Sequence, residues 1–227
     1  MNERIRKQPD PTFYSNSPMY HANTDLWEKT LYSKLREIYS SRDLNSRKTL
    51  VIGASYGREV TEDFAGVLLD PDIVACESAS ESRKSARVVC ADGTSLPFAD
   101  RVFDSAVISL VLSQLVAIGR REDAIKVFDE AQRVSSESTI IIDTTVSTRR
   151  SLSMVFVEKG KPWRYEKETL ESEVFSPEWL NIHGAKRIAE PFEWVRNHPI
   201  IETPAYTPRS DPIGVSYKVE AFKIVRR

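Results

Sequence analysis

Four short features of this chain carry residues whose types and spacing could do chemistry. Gly53-Ala54-Ser55-Tyr56-Gly57 follows directly on the apolar run Thr49-Leu50-Val51-Ile52. Glycines there permit a tight turn and close backbone approach, and a helix start behind them would offer free N–H groups to a carboxylate or phosphate. A plain tight turn fits the same residues. Asp70 closes a second apolar run about 17 residues beyond Gly53, where a carboxylate can accept two hydrogen bonds from a ribose diol. A helix-capping aspartate before Pro71 is the competing reading. Asp92-Gly93 closes a third run, and Asp104 follows in Ala-Asp-Arg-Val-Phe-Asp.

Other reactive side chains are sparse. His21, His183 and His198 are candidate bases, and each also reads as a surface or capping residue. Of the three, His21 is favoured as a base because it shares its segment with Tyr14 and Tyr20, in an arm that would fold over a site as a lid. Cys76 and Cys90 match neither a zinc pair nor a redox Cys-x-x-Cys spacing and are expected to be buried thiols. No metal-ligand cluster is read, and no residue is singled out as catalytic. Arg120-Arg121 and Arg149-Arg150 read as solvated helix ends rather than a phosphate site.

The elements that must position these residues follow from the hydrophobic pattern. Residues 1–23 are polar and proline-bearing, and Leu26, Trp27, Leu31, Leu35, Ile38 and Tyr39 then recur at helical spacing to about Ser41. After the first glycine turn a helix is expected from about Gly57 to Phe64. A strand over Val67–Leu69, a helix over 72–84 and a strand over Arg87–Ala91 come next. Val102–Leu112 is a fourth strand, and Ala124, Val127, Phe128, Ala131 and Val134 mark one face of a helix over 120–134. Thr139–Ile142 is a fifth strand. Strand and helix alternate, and the apolar runs are too continuous for half-exposed strands. The expected fold is therefore α/β, doubly wound and Rossmann-like, with a mostly parallel seven-stranded sheet, helices on both faces and an antiparallel last strand.

Beyond about residue 145 the alternation stops. Residues 147–175 read as an insertion that carries Trp163, Arg164 and Tyr165 and would shape substrate choice. A solvated connector with a tryptophan packed on the core is the alternative. Ser176-Pro177-Glu178 starts a helix that His183-Gly184 stops. Residues 185–190 and 214–226 are the last strands, joined by a proline-studded loop over 199–212. The organisation expected is one domain over 1–227: an arm and helix over 1–45, a half over 46–145 that holds the ligand, and an acceptor-side half over 146–227.

The chain has 227 residues, 41% of them hydrophobic, which suffices for one substantial core. A charged fraction of 29% nearly cancels to −1, so no global field favours nucleic acid or membrane. No basic tract is interleaved with aromatics. The N-terminus shows no apolar leader and no stretch reaches membrane-spanning length, so a cytoplasmic protein is expected. Oligomeric state is left open.

The stretch ADGTSLPFADRVFDSAVISLVLSQL resembles class I S-adenosylmethionine-dependent methyltransferases, especially small-molecule enzymes with a GDA-x-x-LPF-x-D-x-x-FD motif. The likeness runs over about 48–145, and FSPEWLNIHGAKRI resembles a later part of the same fold. It implies S-adenosylmethionine as cofactor, S-adenosylhomocysteine as product, and a small-molecule methyl acceptor as partner. Carried over, it places Gly53, Ala54, Ser55 and Gly57 beside the methionine part, Asp70 on the ribose hydroxyls, and Asp92 with Gly93 at the adenine. Ser109 and Leu110, with Gln114 nearby, would face cofactor and acceptor. The family's acid two positions before the first glycine, which meets the cofactor's amino group, is Val51 here, and its middle glycine is Ser55. A scaffold protein that has lost catalysis, and a nicotinamide-dependent oxidoreductase lacking the full Gly-x-Gly-x-x-Gly turn, are the competing readings.

Overall fold

β1 (Thr49–Ile52) is four residues of Thr-Leu-Val-Ile, and all four are buried. A strand with no wet face must be covered twice, and the strands beside it obey the same constraint. The structure, a computed structural model, describes residues 31–41, 44–117, 120–146, 153–158, 161–166, 177–197 and 214–226. β2 (Val67–Asp70) and β4 (Phe103–Ser109) flank β1 in parallel, β3 (Arg87–Cys90) pairs with β2, and β5 (Ser135–Val146) pairs with β4. β10 (Gly214–Val225) then runs antiparallel to β5, with β8 (Lys186–Arg187) and β9 (Phe192–Asn197) both antiparallel on its far edge. The order is β3-β2-β1-β4-β5-β10, then β8 with β9, so seven positions span the sheet as expected.

Side-chain alternation sorts the core into two layers. Val51, Leu68, Val107, Ile140, Ile142, Val219 and Ala221 share one face with α1 (Ser33–Ser41) and with Ala79 of α2 (Ile73–Ser82). Leu50, Ile52, Leu69, Ala106, Ile108, Ile141 and Ile224 share the other with α4 (Arg121–Val134), which buries the five residues the periodicity predicts. α3 (Leu112–Ala117) and α5 (Pro177–Ile182) pack on that second face through Leu112, Trp179 and Leu180. Helices therefore cover both sides of the sheet. Among the described residues, no helix is long and apolar enough to cross a membrane.

Two expectations need correction, and three strands, two in the insertion and β9, appear that the pattern does not mark. The helix over 57–64 does not form: Gly57 sits at φ +68°, the Phe64 N–H closes on the Thr61 carbonyl three residues back, and Thr61 hydrogen-bonds Asp63. Such local side-chain bonds compete with a helix, and Glu62 and Asp63 near its C-terminal end would oppose its dipole. Cys90 is exposed, because β3 is an edge strand, whereas Cys76 is buried as expected and its thiol is pushed up to about 12, chiefly by burial. Within the insertion, β6 (Ser153–Glu158) and β7 (Lys161–Glu166) form an antiparallel hairpin with Trp163 opposite Phe156. β9 had no alternating signal strong enough to mark it. Residues 1–30, with His21 and the proposed lid, and residues 198–213, with His198, lie outside the described residues, as do Arg149 and Arg150.

Gly66 sits where β2 leaves the loop, and a Cβ there would stand 2.4 Å from the Thr49 carbonyl oxygen and 2.9 Å from that of Ser46. Neither backbone group can swing aside as a flexible side chain would. Gly66→Ala is therefore expected to cost about 1–3 kcal/mol, lowering the unfolding midpoint by roughly 2–4 °C per kcal/mol. Scanning calorimetry checks this, and an unchanged midpoint would show that the loop relaxes freely.

Candidate cofactor site

The strand order reverses between β1 and β4, so a crevice opens outside their C-terminal ends. Gly53, at φ +79°, floors it: a Cβ there would stand 2.0 Å from a methyl of Val111 and 3.0 Å from the Ser109 carbonyl oxygen. Only glycine lets the turn and the β4 end approach so closely.

The turn's own N–H groups are nearly all used within the chain. Those of Gly53 and Ala54 donate to the Leu69 carbonyl at 2.9 and 3.1 Å, and that of Gly57 to the Ala54 carbonyl at 2.7 Å. Ser55, at φ +46°, donates its N–H to Asp70 Oδ2 at 2.8 Å. No helix start follows to supply more, so the expectation of free donors for an anion is overturned. The turn offers close approach, not an anion nest.

Asp70 is half-buried where β2 ends, and its second oxygen accepts the Asp72 N–H at 3.0 Å. Burial raises its pKa against the lowering effect of those two bonds. Asp72, not Asp70, caps α2, by accepting the Val74 N–H at 2.9 Å. Asp70 is thereby left facing the crevice with lone pairs to spare, beside Tyr56, whose phenol is raised by burial and by Asp72 and Asp70. Asp92 is exposed and held by the Thr94 N–H at 2.9 Å. Gly93 beneath it is a packing residue, with Ile52 and Val127 methyls 3.1 and 3.4 Å from where a Cβ would stand.

The rest of the LPF-x-D-x-x-FD stretch is structural. Leu96 and Phe103 are buried, Phe98 meets Phe103 edge-on at 5.0 Å, and Asp104 pairs with Lys48 away from the crevice, where β4 begins. Arg133 of α4 donates to the Leu96 and Phe98 carbonyls and to Asp100, while Glu130 accepts the Leu96 N–H at 2.7 Å. This clamp holds the loop that presents Asp92.

On the β4 side, Leu110 lies at φ +54°, Gln114 is exposed and Ser109 is buried. Ser113 at the start of α3 donates its N–H at 2.9 Å and its hydroxyl to Asp143 of β5, fixing the loop between them. His183 is remote from all of these: it stacks on Trp179 at 3.8 Å and its Nδ1 lies 2.8 Å from the Trp179 carbonyl. It lines a cleft of about 820 Å³ with Thr139, Ser135 and Arg226, beside the residues that open β5 and close β10. That cleft is away from the crevice.

Two residues the sequence did not flag lie under the turn. Tyr39 of α1 and Glu59 are buried, and Tyr39 Oη, Glu59 Oε1 and Ser109 Oγ have no hydrogen-bond partner among the described residues. Each buried group left so costs about 1–3 kcal/mol. Burial raises the pKa of both Glu59 and Tyr39 well above their ordinary values. A lone glutamate between Arg58 and Val60 carries no sequence signal of this burial.

Residues 51–142 match the family model of the methyltransferase domain. No curated protein matches the chain. Among solved structures the chain is similar to the YcgJ protein of Bacillus subtilis, with a TM-score of 0.58, 14% identity, and coverage of 86% of this chain and 99% of that one. It is also similar to a SAM-dependent methyltransferase of Thermotoga maritima, described as a possible histamine N-methyltransferase, with a TM-score of 0.50, 14% identity, and coverage of 91% and 95%. A third is a SAM-dependent methyltransferase of Methanosarcina mazei, with a TM-score of 0.50, 15% identity, and coverage of 79% and 92%.

Burial of Glu59 has a signed consequence for stability. Its pKa in the unfolded chain is near 4.5 and in the fold lies higher, so the fold retains a proton that the unfolded chain sheds. Stability linked to Glu59 is complete below pH 4.5 and falls as pH rises toward the folded value, by up to about 1.4 kcal/mol per pH unit. Glu59→Gln lacks this slope. Urea unfolding of both proteins between pH 4 and 7 is expected to show wild type losing ground to the variant; parallel curves would mean that Glu59 is ionised in the fold.

Proposed function

We propose, from the match of residues 51–142 to the methyltransferase-domain family model, that this chain is a class I methyltransferase that transfers the methyl group of S-adenosylmethionine to a small-molecule acceptor. The observation that carries the reading is the crevice at the β1/β4 reversal. There a glycine turn whose N–H groups at Gly53, Ala54, Ser55 and Gly57 are engaged within the chain lies beside Asp70 at the end of β2, with Asp92 just beyond the end of β3. The donor set suits that ligand. Carboxylates and carbonyls favour a molecule with a sulfonium, an ammonium and a ribose diol over a phosphorylated one, and this also speaks against a dinucleotide.

In this reading Gly53, Ala54, Ser55 and Gly57 let the amino-acid part lie against the turn. Asp70 accepts the ribose hydroxyls through lone pairs left by Ser55 and Asp72, and Asp92 accepts from the adenine amino group with Gly93 packing the loop down. Ser109, Leu110 and Gln114 border the acceptor side, and the segment over 147–175, with its β6–β7 hairpin, bounds acceptor choice. The whole of 1–227 acts as one domain.

When bound, S-adenosylmethionine supplies an already activated methyl group, so no covalent enzyme intermediate is needed. The task of the chain's own residues is alignment and exclusion of water. The Ser113–Asp143 pair fixes the β4–α3 loop on which an in-line acceptor would rest, and the Arg133 clamp fixes the opposite wall. These are rigid supports, so positional precision rests on strand ends rather than on free loops.

Isothermal titration calorimetry with S-adenosylmethionine and S-adenosylhomocysteine tests the reading. Wild type is expected to bind with micromolar affinity. Asp70→Ala loses charge-assisted hydrogen bonds and should weaken binding roughly tenfold to a hundredfold, with a smaller loss for Asp92→Ala. Absence of binding by wild type would end the methyltransferase reading in favour of a non-catalytic scaffold.

A further inference from the structure

The mechanism above leaves both cysteines unused, yet the fold brings them together. Cys76 lies in the first turn of α2, and Cys90 ends β3. Asp70 and Cys90 are cross-strand partners, so Cys90 sits beside the end of β2. Each sulfur rests against that strand end: Cys76 Sγ is 3.3 Å from the Asp70 carbonyl oxygen and 3.8 Å from that of Val89, and Cys90 Sγ is 3.6 Å from that of Pro71. Both thiols are free, and they lie within hydrogen-bonding reach of each other.

Two thiols in contact have few uses. A resident metal ion calls for more ligands than a pair, and among the described residues no group of three or more His, Cys, Asp and Glu side chains could hold one. What a close pair does unaided is exchange with a disulfide. Access sets the order of that reaction. Cys90 is exposed on an edge strand, whereas Cys76 is buried and meets no reagent from solvent. Burial, reinforced by Cys90 and Asp70, also pushes the Cys76 thiol up to about 12, so it keeps its proton until a sulfur is presented to it. Cys90 is therefore the entry point and Cys76 the resolving thiol.

We propose that Cys76 and Cys90 are a redox-active pair, which a low-molecular-weight disulfide converts into an intramolecular disulfide that weakens the hold of Asp70 on the cofactor. The Cys90 thiolate attacks one sulfur of the oxidant, whose S–S bond breaks and expels a thiolate. Cys76 then attacks Cys90 Sγ in the mixed disulfide and yields its proton to the second thiolate that departs. Two protein thiols are oxidised and one oxidant disulfide is reduced to two thiols, the Cys90 proton reaching the first of them through solvent. The change reaches the crevice because two S–H donors are lost. The Asp70 carbonyl keeps the Ala91 N–H at 3.1 Å but loses Cys76, and the Pro71 carbonyl loses Cys90. The new bond also ties α2 to β3, while Asp70 ends β2 and Asp92 lies just beyond β3, so the spacing of the two acids shifts with it. The effect on binding rests on the cofactor reading given above; the disulfide itself does not.

Equilibration of the whole chain in glutathione buffers of graded oxidised-to-reduced ratio, then acid quenching, alkylation and tryptic peptide mapping, reads the state of the pair. Arg83, Lys84 and Arg87 lie between the cysteines, so trypsin separates them. Oxidised wild type is expected to lose the mass of two hydrogen atoms, to give one linked pair of peptides holding Cys76 and Cys90, and to recover both thiols in dithiothreitol. Calorimetry should then find S-adenosylhomocysteine bound about threefold to tenfold more weakly by the oxidised form. Cys90→Ser should bind it as reduced wild type does, before and after the same treatment.

Thiols that stay free at every ratio, glutathione retained on Cys90 beside a free Cys76, or a disulfide between two copies of the chain would each overturn the pairing. Equal affinity of the oxidised and reduced forms for S-adenosylhomocysteine would overturn the effect on the site, and the cofactor reading would stand. If reduced wild type binds no S-adenosylhomocysteine, the cofactor reading ends and the effect on it as well, while the linked peptides still decide the disulfide. Were Cys90→Ser to lose its fold, judged by its thermal transition, the comparison of oxidised with reduced wild type would decide alone.

Discussion

The burial of β1 on both faces is the constraint from which the rest of the structure follows. Leu50 and Val51 are fully buried and Ile52 nearly so, and their side chains alternate between the two core layers. A strand in that position must sit centrally, with parallel neighbours on each side and helices above and below. Right-handed crossovers then send β2 and β3 to one side and β4 and β5 to the other. The crevice is the gap left where those two halves diverge, and so the site is a geometric consequence of how β1 is buried.

Given that gap, the chemistry depends on how the first turn uses its backbone. Had a helix begun at Gly57, its free N–H groups would have pointed at the ligand and favoured an anion. The loop instead leads through a three-residue closure at Phe64, and the preceding N–H groups close on Leu69, Asp70 and Ala54. Local hydrogen bonding between Thr61 and Asp63 thus reaches the site's electrostatics. Acceptors dominate what remains at the turn.

How much of this was legible in the sequence divides along the same physical line. Apolar periodicity located every parallel strand and the buried face of α4, because burial against a neighbour is what writes the pattern. The strand-end acids could be placed for the same reason. Turn chemistry was harder: Val60 and Phe64 are spaced as a helix face, yet the backbone between them is turns. Among the described residues the edge strand β9 pairs only with β10, and such a strand needs no long apolar run. Glu59 was invisible because its burial depends on α1 and β4 folding around it, contacts 20 and 50 residues away along the chain. The LPF-x-D-x-x-FD stretch was the reverse case. It was read for its chemistry, yet apart from Asp92 before it its residues mainly pack the core and accept from Arg133.

Backbone strain marks the same place independently. Among the described residues only Ser55, Arg101 and Leu110 adopt positive φ without being glycine, and Ser55 and Leu110 border the crevice from opposite sides. Left-handed conformation in such residues costs on the order of 1–2 kcal/mol and persists only where surroundings impose it. Here hydrogen bonds to adjoining strands do so: the Ser55 N–H is held by Asp70 of β2, and the Leu110 N–H by the Ile142 carbonyl of β5 at 2.8 Å. In each case a strand that does not itself carry the strained residue fixes it. The two lips of the crevice are therefore clamped by the outer strands on either side, so that the distance between glycine turn and β4 end is set by sheet geometry and does not depend on a ligand to define it.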